Sequence, residues 1–169
     1  MAMALCWSIP SLAQAEVIGR VSNIVPSTIQ VSPHGDHILV VSVNPQTKQR
    51  QVYLDGKALP GVYDAIAGGT PFFNQDGKHH VFVGTRGEQC MVVLDGVGQT
   101  TYAITKDGWP IAGLVFGSDA SKTHLAYQAS KDGRHYVVVN GKVLGPYDSV
   151  IVKDKPAQRG IWDFRFDSD

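Results

Sequence analysis

The residues best suited to chemistry are histidines and acids beside tight turns. His37, His80 and His124 stand in one slot of three similar segments, after a turn and before an apolar run. Three imidazoles bind a metal only if they converge to bonds of about 2 Å. Equivalent positions in successive repeats are carried apart unless they line a common axis, so these histidines read as strand-start residues of a repeat. His79 and His135 add no ligand spacing, and neither His-Glu-x-x-His nor Cys-x-x-Cys occurs. No metal site is expected.

The acids lead to a similar result. Asp55, Asp76, Asp95 and Asn140 each precede a glycine, at Gly56, Gly77, Gly96 and Gly141. Two facing carboxylates would suit glycosidic chemistry. In this context a short polar side chain bonds its own turn and glycine supplies the positive φ, which accounts for all four. The serines lack a Gly-x-Ser-x-Gly elbow. Ala67-Gly68-Gly69-Thr70 has no helix after it to cradle a phosphate. Cys90, between Gln89 and Met91, reads as a thiol packed like a small hydrophobe. No catalytic residue and no cofactor is expected.

The elements that carry these residues are strands. From Phe72 to Tyr102 an apolar pair, a turn at Asn74-Gln75-Asp76-Gly77, the run His80 to Thr85, the run Cys90 to Leu94, an Asp95-Gly96 turn and a polar run follow one another. Short β-branched and aromatic runs separated by Asp-Gly signals are hairpins. The unit recurs. The first turn ends at Gly35, Gly77 and Ala120; the second falls at Asp55-Gly56, Asp95-Gly96 and Asn140-Gly141; a third landmark is Tyr63-Asp64, Tyr102-Ala103 and Tyr147-Asp148. A period of about 40 to 45 residues is the length of a four-stranded propeller blade.

The pattern Ser-Pro-x-Gly (Ser32 to Gly35), an apolar strand, a second strand ending Leu54-Asp55-Gly56-Lys57 and then Tyr63-Asp64 resembles the WD-like β-propeller repeats of the Tol translocation protein type. The resemblance covers about Ile29 to Asp169. It departs at His34, at Ala120 and at Ala103, where Asp, Gly and Asp are usual. It implies an all-β propeller-type chain of about three four-stranded blades, near 29–66, 71–104 and 114–150. Val21 to Ile24, lying 42 residues before Tyr63 to Ile66, reads as a blade's outermost strand, so 16–25 forms a partial blade strand. The alternation of Trp162, Phe164 and Phe166 with Asp163 and Arg165 makes 161–169 a lone innermost strand. This offset suggests a fragment of a larger propeller, the alternative being an arc closed by self-association.

Residues 1–15, an apolar stretch ending Ala13-Gln14-Ala15, read as a secretory signal peptide truncated at its start, with 16–169 as the repeat domain. No membrane insertion is expected after cleavage. Lys and Arg number 15 against 15 Asp and Glu, so no basic field points to nucleic acid. With 43% hydrophobic residues, 18 Gly and 9 Pro, the composition is that of a turn-rich β domain. Trp109, in the Asp107-Gly108-Trp109-Pro110 loop between two units, is the candidate partner contact. The expected function is a periplasmic or extracellular, non-enzymatic binding or scaffold module for a protein or glycan. The alternative is the propeller portion of an exported hydrolase or lyase.

Overall fold

A computed structural model describes residues 19–105, 108–118 and 123–147. The signal segment, the start of the 16–25 strand, the turn residues Asp119 and Ala120, and the 161–169 strand lie outside these residues. The described chain is all-β, with one short 3-10 turn at Pro26–Thr28.

Among the described residues thirteen strands form three antiparallel sheets, each from a consecutive stretch of chain. The first holds β1 (Gln30–Val31), β2 (Ile38–Val43), β3 (Arg50–Leu54) and β4 (Lys57–Ala58) in that order. The second holds β5 (Ala65–Ile66), β6 (Phe72–Phe73), β7 (His80–Arg86), β8 (Gln89–Leu94) and β9 (Val97–Ala103), with β5 and β6 both paired to β7. The third holds β10 (Ile111–Ser118), β11 (Thr123–Lys131), β12 (Arg134–Val139) and β13 (Lys142–Tyr147) in order.

The turns explain the hairpins. At Asp55-Gly56, Asp95-Gly96 and Asn140-Gly141 the φ values are 50 and 75, 51 and 78, and 50 and 79 degrees. Two successive left-handed residues match the twist of the flanking strands, and Asp, Asn and Gly tolerate that region best.

Each sheet begins with a strand interrupted in its middle. Ile66 lies opposite Gly84 and Phe72 opposite Val81, while residues 67–71 loop out between them. Thr70 ties the loop down: its Oγ1 donates to Ala67 O at 2.8 Å and accepts from Val83 N at 3.4 Å. The first sheet repeats this with Thr28, whose Oγ1 donates to Val25 O at 2.7 Å and accepts from Val41 N at 3.0 Å, while Ile24 bridges to Ser42. In the third sheet the interruption shrinks to a register shift between Ala112 and Val115, and Ile111 lies opposite Ala129.

Ile24, Ile66 and Ile111 are therefore equivalent, and they lead the first strand of a sheet. This corrects two expectations. Val21 to Ile24 is not an outermost strand, because its partner is β2. The first unit ends at Tyr63, whose N–H and C=O both pair with Arg50, rather than at Ile66, which belongs to the second sheet. The 42-residue spacing made Ile24 and Ile66 equivalent, but spacing does not specify which strand a segment pairs with.

The sheets pack face to face in chain order. Successive strand residues point to opposite faces, so β7 and β8 supply two cores. Phe82, Met91 and Val93 pack with Leu39, Val41, Val52 and Tyr63 of the first sheet. Val81, Val83, Cys90 and Val92 pack with Leu125, Tyr127, Ala129 and Val138 of the third. Burial on both faces is why these runs are almost continuously apolar. Each fully buried large side chain contributes about 1.5–3 kcal/mol.

The repeated tyrosines lie opposite equivalent residues: Tyr63 opposite Arg50, Tyr102 opposite Cys90 and Tyr147 opposite His135. Tyr63 meets Phe82 of the next sheet edge-on, with ring centres 5.2 Å apart and planes at 86°. Tyr102 joins the second core with Tyr127. Tyr147, on the last described strand, is 43% exposed.

Candidate binding cleft between the second and third sheets

Each sheet carries a clamp between the turn that ends its third strand and the start of its second. In the first sheet Asp55 Oδ2 accepts from His37 Nδ1 at 2.7 Å, and Oδ1 accepts from the Ile38 amide at 2.8 Å. In the second, Asp95 Oδ2 accepts from His79 Nδ1 at 2.7 Å and Oδ1 from the His80 amide at 2.9 Å. In the third, Asn140 Oδ1 accepts from the Leu125 amide at 2.9 Å while its Nδ2 donates to His124 Nδ1 at 2.7 Å.

The repeated slot thus holds His37, His79 and His124. His80 stands one place further on, equivalent to Ile38 and Leu125. His37 and His79 both lie close enough to act on His80, yet among the described residues no three His, Cys, Asp or Glu side chains form a group able to hold a metal. The aspartates also do more than shape their own turns, since they reach strand starts 15 to 18 residues away. Asp76 keeps the local role, with Oδ1 accepting from the Lys78 amide at 3.0 Å.

The clamp sets the electrostatics of this end of the sheets. The hydrogen bond to Asp55 raises the pKa of His37 above the usual histidine value. His80 is pushed the other way by burial, against the pull of the Asp95 carboxylate. The hydrogen bond from Ser32, at 2.6 Å, lowers Asp36.

Between the second and third sheets, beside the second clamp, lies a cleft of about 290 Å³. Leu94, Phe116, Leu125 and Tyr127 form its apolar wall; His79, Asp95, Gln99 and Asn140 its polar edge; Gly141 part of its margin. Burial, and then the neighbouring Tyr102, push the Tyr127 hydroxyl well above the usual phenol range. None of the described lining residues is a serine, threonine or cysteine. The His79–Asp95 contact recurs in the other sheets as the same turn-to-strand clamp.

The equivalent position between the first and second sheets is filled from within the chain. There Leu59 and Pro60 follow β4 and lie on the second sheet's turn. A Cβ at Gly96 would meet Pro60 Cδ at 3.1 Å and Leu59 Cδ2 at 3.9 Å. Counting from the Asp-Gly turn, Gln99 and Thr100 occupy those two places in the second unit, and Gln99 Nε2 folds back to Val97 O at 3.3 Å. Among the described residues nothing comes within 4 Å of a Cβ at Gly141. The cleft is a seat that its sister shows occupied. Sequence reasoning overlooked Gln99, Phe116, Leu125 and Tyr127, although the exchange of Leu-Pro for Gln-Thr at one offset was there to be read.

Trp109 lies elsewhere. It follows a turn closed by backbone bonds between Thr105 and Gly108, is 38% exposed, and precedes Ile111, which pairs with Ala129 at the end of β11 away from Leu125. No protein-family model, curated protein or solved structure matches this chain.

Proposed function

We propose that the three sheets are successive blades of a β-propeller-type chain of the WD-like kind, and that the chain is a non-enzymatic binding module. The repeat period, the one-sheet-per-unit order and the stacking of equivalent faces support the blade reading. The observation that carries the binding reading is the contrast at two equivalent glycines: Gly96 is covered by Leu59 and Pro60, and no described residue covers Gly141. A preformed concave site with an apolar wall and a few polar groups is the usual form of a recognition site. The partner is a protein or a glycan, met outside the cytoplasm; the apolar segment ending Ala13-Gln14-Ala15 supports export.

The test is a titration of uniformly ¹⁵N-labelled protein with short peptides and with methyl glycosides. Saturable shifts at Gln99, Asn140 and Gly141 for at least one class support the reading. Shifts confined to other surfaces, or none at all, overturn it. Amino-terminal sequencing of exported protein tests the leader, with Glu16 the expected first residue.

A further inference from the structure

We propose that the cleft receives a leucine-proline pair presented by an extended segment of a protein partner. This rests on reading the cleft as a recognition site and narrows it to one chemistry. The chain itself supplies the template. In the sister seat Leu59 packs against the core that holds Phe82, with Phe73 beside it; counted by turn and strand position, His79, Asp95, Phe116, Leu125 and Tyr127 of the cleft correspond to His37, Asp55, Phe73, His80 and Phe82 there. His37 and Phe73 stack there with ring centres 6.5 Å apart, so apolar residues lie beside this kind of clamp without conflict. Leu59 is half-buried in that seat, and Pro60 covers the turn glycine from the rim.

Two of the four polar-edge residues of the cleft, Asp95 and Asn140, are already committed within the chain, which favours a side-chain occupant over a sugar. Both oxygens of Asp95 are engaged, by His79 and by the His80 amide. Both ends of the Asn140 amide are engaged, by Leu125 and His124. A sugar needs several hydrogen-bond partners aimed into its site, and each buried hydroxyl left without one weakens binding. A leucine side chain asks for none, and proline brings no N–H to satisfy. At about 290 Å³ the cleft also lies at the small end of ligand pockets, the scale of a side-chain pair.

The experiment uses the ¹⁵N-labelled full chain and two capped peptides, acetyl-Lys-Ala-Leu-Pro-Gly-amide, copied from residues 57–61, and acetyl-Lys-Ala-Ser-Ser-Gly-amide, with methyl glycosides alongside. The expected result is saturable shifts at Gln99, Asn140 and Gly141 with the Leu-Pro peptide, half-saturated at roughly millimolar concentration, and at least tenfold weaker binding of the Ser-Ser peptide. Gln99→Leu with Thr100→Pro, which rebuilds the sister's filling, should weaken the Leu-Pro peptide at least tenfold without lowering the melting temperature. If that pair disturbs folding, Gln99→Leu alone serves. Equal binding of both peptides, or full binding to the filled variant, overturns the proposal. Shifts at the cleft with glycosides alone defeat the Leu-Pro assignment and leave the recognition site standing; no shift with any probe defeats both.

Discussion

Asp95 holds His79 and the residue after it at once: Oδ2 takes the His79 imidazole at 2.7 Å and Oδ1 takes the His80 amide at 2.9 Å. The same two-pronged contact recurs at Asp55, and Asn140 makes its amide counterpart. One carboxylate thus fastens a tight turn to the start of a neighbouring strand, and it does so where the strand enters the core.

Removing the carboxylate should therefore cost more than a surface contact. Asp55→Ala leaves the Ile38 amide without its acceptor and places a less tolerant residue at φ 50°. The expected loss is about 1–3 kcal/mol, read from urea unfolding. Asp55→Asn keeps Oδ1 and copies Asn140, so it should lose less than half as much. Equal losses would contradict the clamp.

The sheet-to-sheet contact at Tyr63 is close enough to forbid a methyl group. A Cβ at Gly84 would lie 2.8 Å from Tyr63 Cε1, inside contact distance. Gly84→Ala should cost about 1–3 kcal/mol by overpacking. Tyr63→Ala, which also removes the ring under the Arg86 guanidinium 4.6 Å from its centre, should cost about 3–5 kcal/mol. The equivalent Tyr147→Ala, at a 43% exposed ring, should cost under about 1 kcal/mol.

Acid and base should act through different histidines. The pKa of His80 is lower folded than unfolded, so the unfolded chain binds the extra proton and stability falls as pH drops through about 6.5. Its ring is faced by Asp95, His79 and His37, and the carboxylate is not enough to offset burial. His80→Leu, copying Leu125, should remove much of that acid-side loss. His37 has the opposite sign. Its raised pKa gives stability that is full below about 6.5 and fades as pH rises through the folded value, so His37→Gln should flatten the alkaline side. Denaturant midpoints across pH measure both.

Cys90 is fully buried, and burial raises its pKa to about 11. Near neutral pH its thiolate is scarce, and a reagent reaches it only after opening. Labelling located by mass spectrometry should be more than a hundredfold slower at Cys90 than for a free thiol, and should accelerate with urea. Fast labelling in the folded protein would contradict the packed core.

Much of the fold was legible because turn chemistry is local. Asp55-Gly56, Asp95-Gly96 and Asn140-Gly141 declare hairpins through the φ they permit, and Tyr63, Tyr102 and Tyr147 keep phase because each closes an outer strand against an equivalent partner. What spacing could not show was partnership across space. Ala65-Ile66 sits two residues after Tyr63 yet pairs with the next sheet, a choice made by β7 and not by the segment. The histidine slot was misread because His79 and His80 are adjacent; the 42-residue step from His37 falls on His79, and the longer third unit masks it. The cleft was hidden for a further reason. It arises from two residues, Gln99 and Thr100, that are unremarkable alone and matter only beside Leu59 and Pro60.

The clamp repeated in three sheets is tested most directly by the imidazole tautomers of His37, His79 and His124, read from long-range proton–nitrogen spectra recorded across alkaline pH. A carboxylate partner requires the proton on Nδ1, and the Asn140 amide, turned to serve Leu125, requires it on Nε2. The account predicts Nδ1–H at His37 and His79 and Nε2–H at His124. The Nε2–H form at all three positions would contradict it.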